Sequence, residues 1–230
     1  MAKQNLKNVL TELDTIVLNI ELTLISITQG VALFFLIDNA RSLLMNGQYF
    51  LWPYVLMGLL IIFIFWSRSM MHTLTLIRWP LEFGHNFLYI ASTLVEAVAF
   101  TQLAEPRHWF LLNAIYGVVI WLLFFFDLRL IRRLRADGEG PAEKELCRMV
   151  EKDQWANICF LVPSGIAFSV CVAGLAYRRP EIFEFGTRSL IFIFFQVLAA
   201  VVYLAYSLRF FMKVAPLAER TRQEWQDEAN

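Results

Sequence analysis

Apolar residues gather into six long runs along this chain, at 16–37, 50–66, 86–104, 109–127, 156–176 and 189–211, each bounded by charged or turn-forming residues. A helical run of roughly 20 apolar residues covers about 30 Å of hydrocarbon. In lipid a segment must satisfy its own backbone N–H and C=O groups, so each run is predicted to be an α-helix. The pattern therefore predicts an all-α fold, a polytopic membrane helix bundle. Residues 1–212 form its six-span domain and 213–230 a polar C-terminal tail.

The segments between the runs carry patterns of their own. Leu6, Val9, Leu10 and Leu13 recur at helical spacing ahead of the first run, which predicts a short amphipathic helix lying on the membrane surface. The fourth run continues as a basic helix through Leu128–Arg135, is broken at 138–141 by Gly-Glu-Gly-Pro, and resumes as a charged helix to Gln154. This makes 129–155 the largest helical loop outside the membrane. Trp79-Pro80, between the second and third runs, predicts a helix break. In the fifth run Gly165, Ser169 and Ala173 recur every four residues and form one small-residue face, suited to close helix packing, with Pro163 just before it as a source of a kink.

Charge orients this layout. With an internal N-terminus, the inner side holds Lys3, Lys7, Arg68, Arg78, Arg129, Arg132, Arg133, Arg135, Lys144, Arg148, Lys152, Lys213, Arg220 and Arg222, against Arg41, Arg107, Arg178, Arg179 and Arg188 outside. Fourteen against five predicts that both termini are cytoplasmic, as in a protein of the bacterial inner membrane. Arg129, Arg132, Arg133 and Arg135 fall where anionic head groups lie and are candidates for contact with membrane lipids or a cytoplasmic protein partner. Over the whole chain 20 basic residues balance 20 acidic ones, which gives no basis for a nucleic-acid partner. The 58% hydrophobic content, with 21 Phe and 7 Trp, exceeds what one water-soluble core of this size accommodates, so the surplus faces lipid. Cys147, Cys159 and Cys171 lack the spacing of a zinc site or a disulfide framework and read as packing residues. The first run is as long as a full span and lacks a small-residue cleavage site, so it reads as a retained helix.

Ionisable groups inside the hydrocarbon each cost on the order of 3 kcal/mol, which makes Glu21 and Glu96 candidates for ion or proton sites. Their alternative role is as neutral or paired groups bonding between helices, and Glu21 also fits an interfacial position. Thr23, Ser26, Thr28, Gln29 and Gln196 are softer polar groups of the kind that bond across helices. His72 and His85 have no ligand partner at metal-binding spacing and read as surface or capping residues, while His108 beside Trp109 reads as an interfacial anchor.

The first three runs resemble the small six-helix potassium channels of prokaryotes that are related to the lysosomal potassium channel. That family's first helix opens with Arg-x-x-x-Phe-Ser-Asp-Gly and lines the pore. Here the motif's Arg falls on Thr23, its Phe on Ile27, its Ser on Thr28 and its Asp on Gln29, and Gly30 is identical. Trp66 ends the second run, His72 follows it, and Asn86 opens the third, which matches the family's Trp, His and Asn helix network. The resemblance implies a homo-oligomer with the first helix around one pore, Thr28 and Gln29 lining it, and Phe34 at its apolar constriction.

No Walker loop, G-x-S-x-G, H-E-x-x-H or Gly-rich dinucleotide turn occurs, so the reading is of a non-enzyme without a cofactor. The leading expectation is a channel-like homo-oligomer conducting a monovalent cation through a pore lined by the first helix. The alternative is a membrane sensor or accessory subunit that recruits a cytoplasmic partner through the basic helix 129–154. A small transporter using Glu96 as a proton-coupled site is a third reading.

Overall fold

The structure, a computed structural model, describes residues 2–75, 83–137, 140–184 and 187–227, and among these every regular element is helical. The helices are α1 (Ala2–Met45), α2 (Trp52–Thr75), α3 (Phe83–Phe100), α4 (Pro106–Asp137), α5 (Pro141–Ala156), α6 (Val162–Arg178), α7 (Glu181–Glu184) and α8 (Thr187–Asp227). The expected break at Trp79-Pro80 lies outside the described residues. The segment expected as a separate amphipathic helix is instead continuous with α1, since neither Gly nor Pro occurs before Gly30 to interrupt it.

Local chemistry ends each helix. Gly47, at φ +70°, terminates α1: its N–H donates to the Leu44 carbonyl and the Gln48 N–H to that of Leu43, the paired bonds of a left-handed helix cap. Pro106 opens α4, where a missing N–H costs nothing, and the Trp109 N–H closes the first turn on the Glu105 carbonyl. Extended Gly140 followed by Pro141 starts α5, and the Glu224 carboxylate of α8 accepts from the Ala142 N–H at 3.2 Å, an acidic group at a helix N-terminus.

A π turn, Asn157–Leu161, joins α5 to α6 without a break in direction of the chain. Pro163 explains it. A proline at this position has no N–H to offer the Cys159 carbonyl, and the chain shifts register so that the Val162 N–H donates to the Asn157 carbonyl. The Ile158 carbonyl, deprived of its usual partner, accepts from the Trp121 indole at 2.9 Å.

Five segments are long and apolar enough to cross a membrane: Asn19–Met45, Tyr49–Thr73, Pro106–Ala136, Pro141–Arg178 and Ser189–Glu224. They mark the chain as an integral membrane protein. The remaining run expected from the sequence is α3, of 18 residues, outside that set. At about 1.5 Å per residue, α1, α4 and α8 outrun a hydrocarbon core. The overhangs of α4 and α8 enclose α5 in a small cluster of their own, built on Ile131, Leu146, Cys147, Val150 and Val214.

Packing runs as an arc, α6 on α4, α4 on α3, α3 on α1, α1 on α2 and α2 on α8. Among the described residues its two ends, α6 and α8, do not pack along one another. At one end of the molecule α5 bridges α4 and α8; at the other, the short α7 segment links α6 to α8. Glycines allow the tightest approaches in the arc. A Cβ on Gly58 would come within 2.7 Å of Leu36 and 3.0 Å of Phe100, and one on Gly117 within 2.8 Å of Ile166.

Candidate functional site

The arc encloses a cavity of about 750 Å³ lined from α1, α2, α3, α4, α6 and α8. Its wall is overwhelmingly apolar, with Ile25, Ile61, Phe65, Leu123 and Phe168 among the lining side chains. The lining residues of α1 to α4 are buried or half-buried, whereas Ser164 and Gly165 of α6 and Phe195, Ala199 and Val202 of α8 are exposed. The mouth therefore opens sideways between α6 and α8, within two segments apolar enough to sit in lipid.

Polar groups concentrate at the cavity's α5 end. Arg68 of α2 and Asp153 of α5 form an ion pair at 2.5 Å with side chains 7% and 0% exposed. Burial of two charges is tolerable only when hydrogen bonds fill their remaining valences, and Asp153 meets that condition. Tyr206 donates to its Oδ1 at 2.7 Å and Asn157 to its Oδ2 at 3.2 Å, while Tyr203 holds Asn157 through a bond of 2.7 Å. The π turn thus carries Asn157 into this network. The Arg68 guanidinium lies 5.5 Å from the Phe124 ring centre and 6.0 Å from that of Phe210, but its Nε and Nη1 have no hydrogen-bond partner among the described residues.

Beside this pair, His72 meets Gln154 at 3.1 Å and His85 meets Asp127 at 3.3 Å. Both histidines are buried, which overturns their reading as surface residues, and His72 lies in the last turn of α2. Helix packing brings α2 and α3 onto α4 and α5 carboxylates and amides far away in sequence, which no local spacing reveals. Glu21, also buried, stands next to His85 and Asn86, so α1 and α3 join the same cluster. Trp66 does not join it; it is partly exposed on the outside of α2, against Phe63.

Glu96, 1% exposed, lies farther along α3 beside Gln29, and neither of its carboxylate oxygens makes a hydrogen bond among the described residues. Towards the α7 end, Gln196 accepts from the Trp109 indole at 3.0 Å and donates to Asn113 at 3.3 Å. Thr28 is buried and bonds back to the Leu24 carbonyl of its own helix, whereas Phe34 is 64% exposed. Thr28, Gln29 and Phe34 therefore do not share a face of α1. On α6, Ser169 and Ala173 are buried, but Gly165 sits at the mouth with nothing within 4 Å of where its Cβ would be. The close approach of α6 to α4 is made at Gly117 instead.

On the α5 end, Arg132 and Arg135 both pair with Glu151, Arg132 at 3.0 Å, and Arg132 also lies over the Trp155 ring at 5.4 Å. Arg129 and Arg133 are exposed. Among the described residues no three His, Cys, Asp or Glu side chains converge as metal ligands.

Sequence reasoning missed Arg68, Asp127, Asp153, Tyr203 and Tyr206. The available signal was that three charges of mixed sign fall at the same end of separate apolar runs, where a topology count weighs only the basic ones. Compared with known proteins, the chain matches no family model, no curated protein and no solved structure.

Proposed function

We propose that this protein crosses the bacterial inner membrane six times, with both termini and the α5 end in the cytoplasm, and binds a lipid-soluble molecule in its intramembrane cavity. The observation that carries the reading is the cavity itself: about 750 Å³, apolar, polar at one end, and open between α6 and α8. Sites for small molecules have this size and this balance of apolar wall to a few convergent polar groups. Replacing Ala199 at the mouth with Trp tests it. Mass spectrometry of protein taken into nanodiscs should find a stoichiometric bound apolar molecule in the wild type and its loss in Ala199→Trp; equal retention in both would sink the proposal.

The cavity also lends a mechanism to the sensor alternative. Asp153 and Gln154 reach the cavity's polar cluster from the helix whose Glu151 holds Arg132 and Arg135. Occupancy that shifts the Arg68–Asp153 pair would move α5 and so alter the basic surface offered to a cytoplasmic partner.

Cation conduction along α1 is a second proposal, favoured by the exposed stripe of Ile27, Val31, Phe34 and Ile37 and by the resemblance of the first three helices to potassium channels. Copies of the chain gathered around this stripe would form an apolar constriction at Phe34. Potassium flux into liposomes should rise several-fold in Phe34→Ala; tight liposomes for both proteins would remove α1 as a pore.

A further inference from the structure

The outer face of α4 changes chemistry along its length. Val118, Leu122, Phe125, Arg129 and Arg132 follow one another at intervals of four, three, four and three residues, the spacing of one stripe on a helix, and all five are exposed. The three apolar members lie in the span Pro106–Ala136 and cover about 10 Å of it, at a rise of about 1.5 Å per residue. The two arginines follow directly. The cavity lies against another face of the same helix, that of Asn113, Ile120 and Phe124, so the stripe is separate from it.

Trp155 of α5 stands beside the arginine end. Its ring carries the Arg132 guanidinium at 5.4 Å, and the Arg132 Nε donates to Glu151 at 3.0 Å. Two contacts thus orient a side chain that is still 54% exposed, which spares part of the ordering cost of binding. Glu151 is shared with Arg135, and Arg129 has no ion-pair partner among the described residues. Three guanidinium groups therefore stand against a single carboxylate, and the surplus is positive.

An exposed apolar stripe in the membrane calls for hydrocarbon, and surplus guanidinium calls for phosphate, which it binds through paired N–H···O bonds. A phospholipid presents both together. A soluble anion leaves the stripe uncovered, and a cytoplasmic protein cannot follow α4 into lipid. Tryptophan beside arginine also favours the boundary between head groups and hydrocarbon. We propose that α4 and α5 hold an anionic phospholipid, its phosphate between Arg129 and Arg132 beside Trp155, and one acyl chain along Phe125, Leu122 and Val118. A head group carrying an amine returns positive charge to a positive surplus, so phosphatidylglycerol fits this site and phosphatidylcholine does not. The site needs only that α4 crosses the membrane and is independent of what the cavity holds.

Native mass spectrometry of the full chain in detergent, titrated with dioleoylphosphatidylglycerol or dioleoylphosphatidylcholine, measures the preference. The first phosphatidylglycerol should bind at least fivefold more tightly than the first phosphatidylcholine. Arg129→Gln, which breaks no ion pair, should cut this preference at least threefold, and Arg129→Gln with Arg132→Gln should abolish it at an unchanged melting temperature. Lys144→Gln with Arg148→Gln removes the same charge from the exposed face of α5 and should leave the preference within twofold. Glycerol 1-phosphate, a head group without chains, should not compete at a hundredfold excess. Equal loss in the two double variants would show attraction to the basic surface at large and overturn the site. Equal binding of both lipids by the wild type, or a preference that survives the Arg129 and Arg132 substitutions, would overturn it too. Displacement by glycerol 1-phosphate would mean a site for free phosphate and remove the apolar stripe from it.

Discussion

At the scale of single residues, the Arg68–Asp153 pair dominates the energetics. Removing one partner of a buried pair leaves an uncompensated charge and costs roughly 3–5 kcal/mol, whereas removing both together can be close to neutral. Asp153→Asn is therefore expected to lower thermal stability sharply, and Arg68→Met in the same chain to restore most of the loss. Tyr206→Phe removes one bond to the carboxylate and should cost about 1 kcal/mol. Thermal unfolding in one detergent ranks the variants; an Asp153→Asn protein as stable as wild type would show that the pair is not formed. The charges themselves left a trace in the sequence, but their pairing did not, because Arg68 and Asp153 are separated by 85 positions. Glu21, Glu96 and Gln196 were legible, because a polar residue inside an apolar run stands out without knowledge of its partner.

Among the elements, the helices themselves were readable from the apolar runs and from the punctuation at Gly140-Pro141, whereas the caps at Gly47 and Pro106 came only with the structure. Facing was less so. Six positions separate Thr28 from Phe34, which at 3.6 residues per turn puts them about 120° apart, and a motif match does not register that rotation. The π turn was foreshadowed only as a kink at Pro163. Its chemistry gives a prediction with a definite sign. Trp121→Phe should cost about 1–3 kcal/mol by orphaning the Ile158 carbonyl. In Pro163→Ala, a restored backbone N–H lets the turn relax towards α-helical register, and the Val162 N–H then supplies that carbonyl. Trp121→Phe should consequently cost less in the Pro163→Ala background than in the wild type, by at least about 0.5 kcal/mol in a double-mutant cycle. Strict additivity would mean that the indole and the proline act independently.

For the whole molecule, the decisive property is that the helices form an arc and not a closed bundle. A closed bundle shields all its inward positions, but here Gly165 and Ala199 belong both to the cavity lining and to the exposed surface, while Ser169 and Ala200, near them on the same helices, are buried. What fills the mouth depends on the solvent around it. Lipid tails meet an apolar wall there at no cost, whereas water would face the loss of hydrogen bonds along most of the lining. Single spin labels can separate the two cases after the native cysteines are replaced by serine. Labels at 165 and 199 should collide freely with oxygen, which partitions into lipid, and hardly at all with a water-soluble nickel chelate; a label at 169 should collide poorly with both. Strong nickel collisions at 165 and 199 would mean a water-filled groove, in which case the cavity is a polar passage through the membrane and the conduction proposal moves from α1 to the space between α6 and α8.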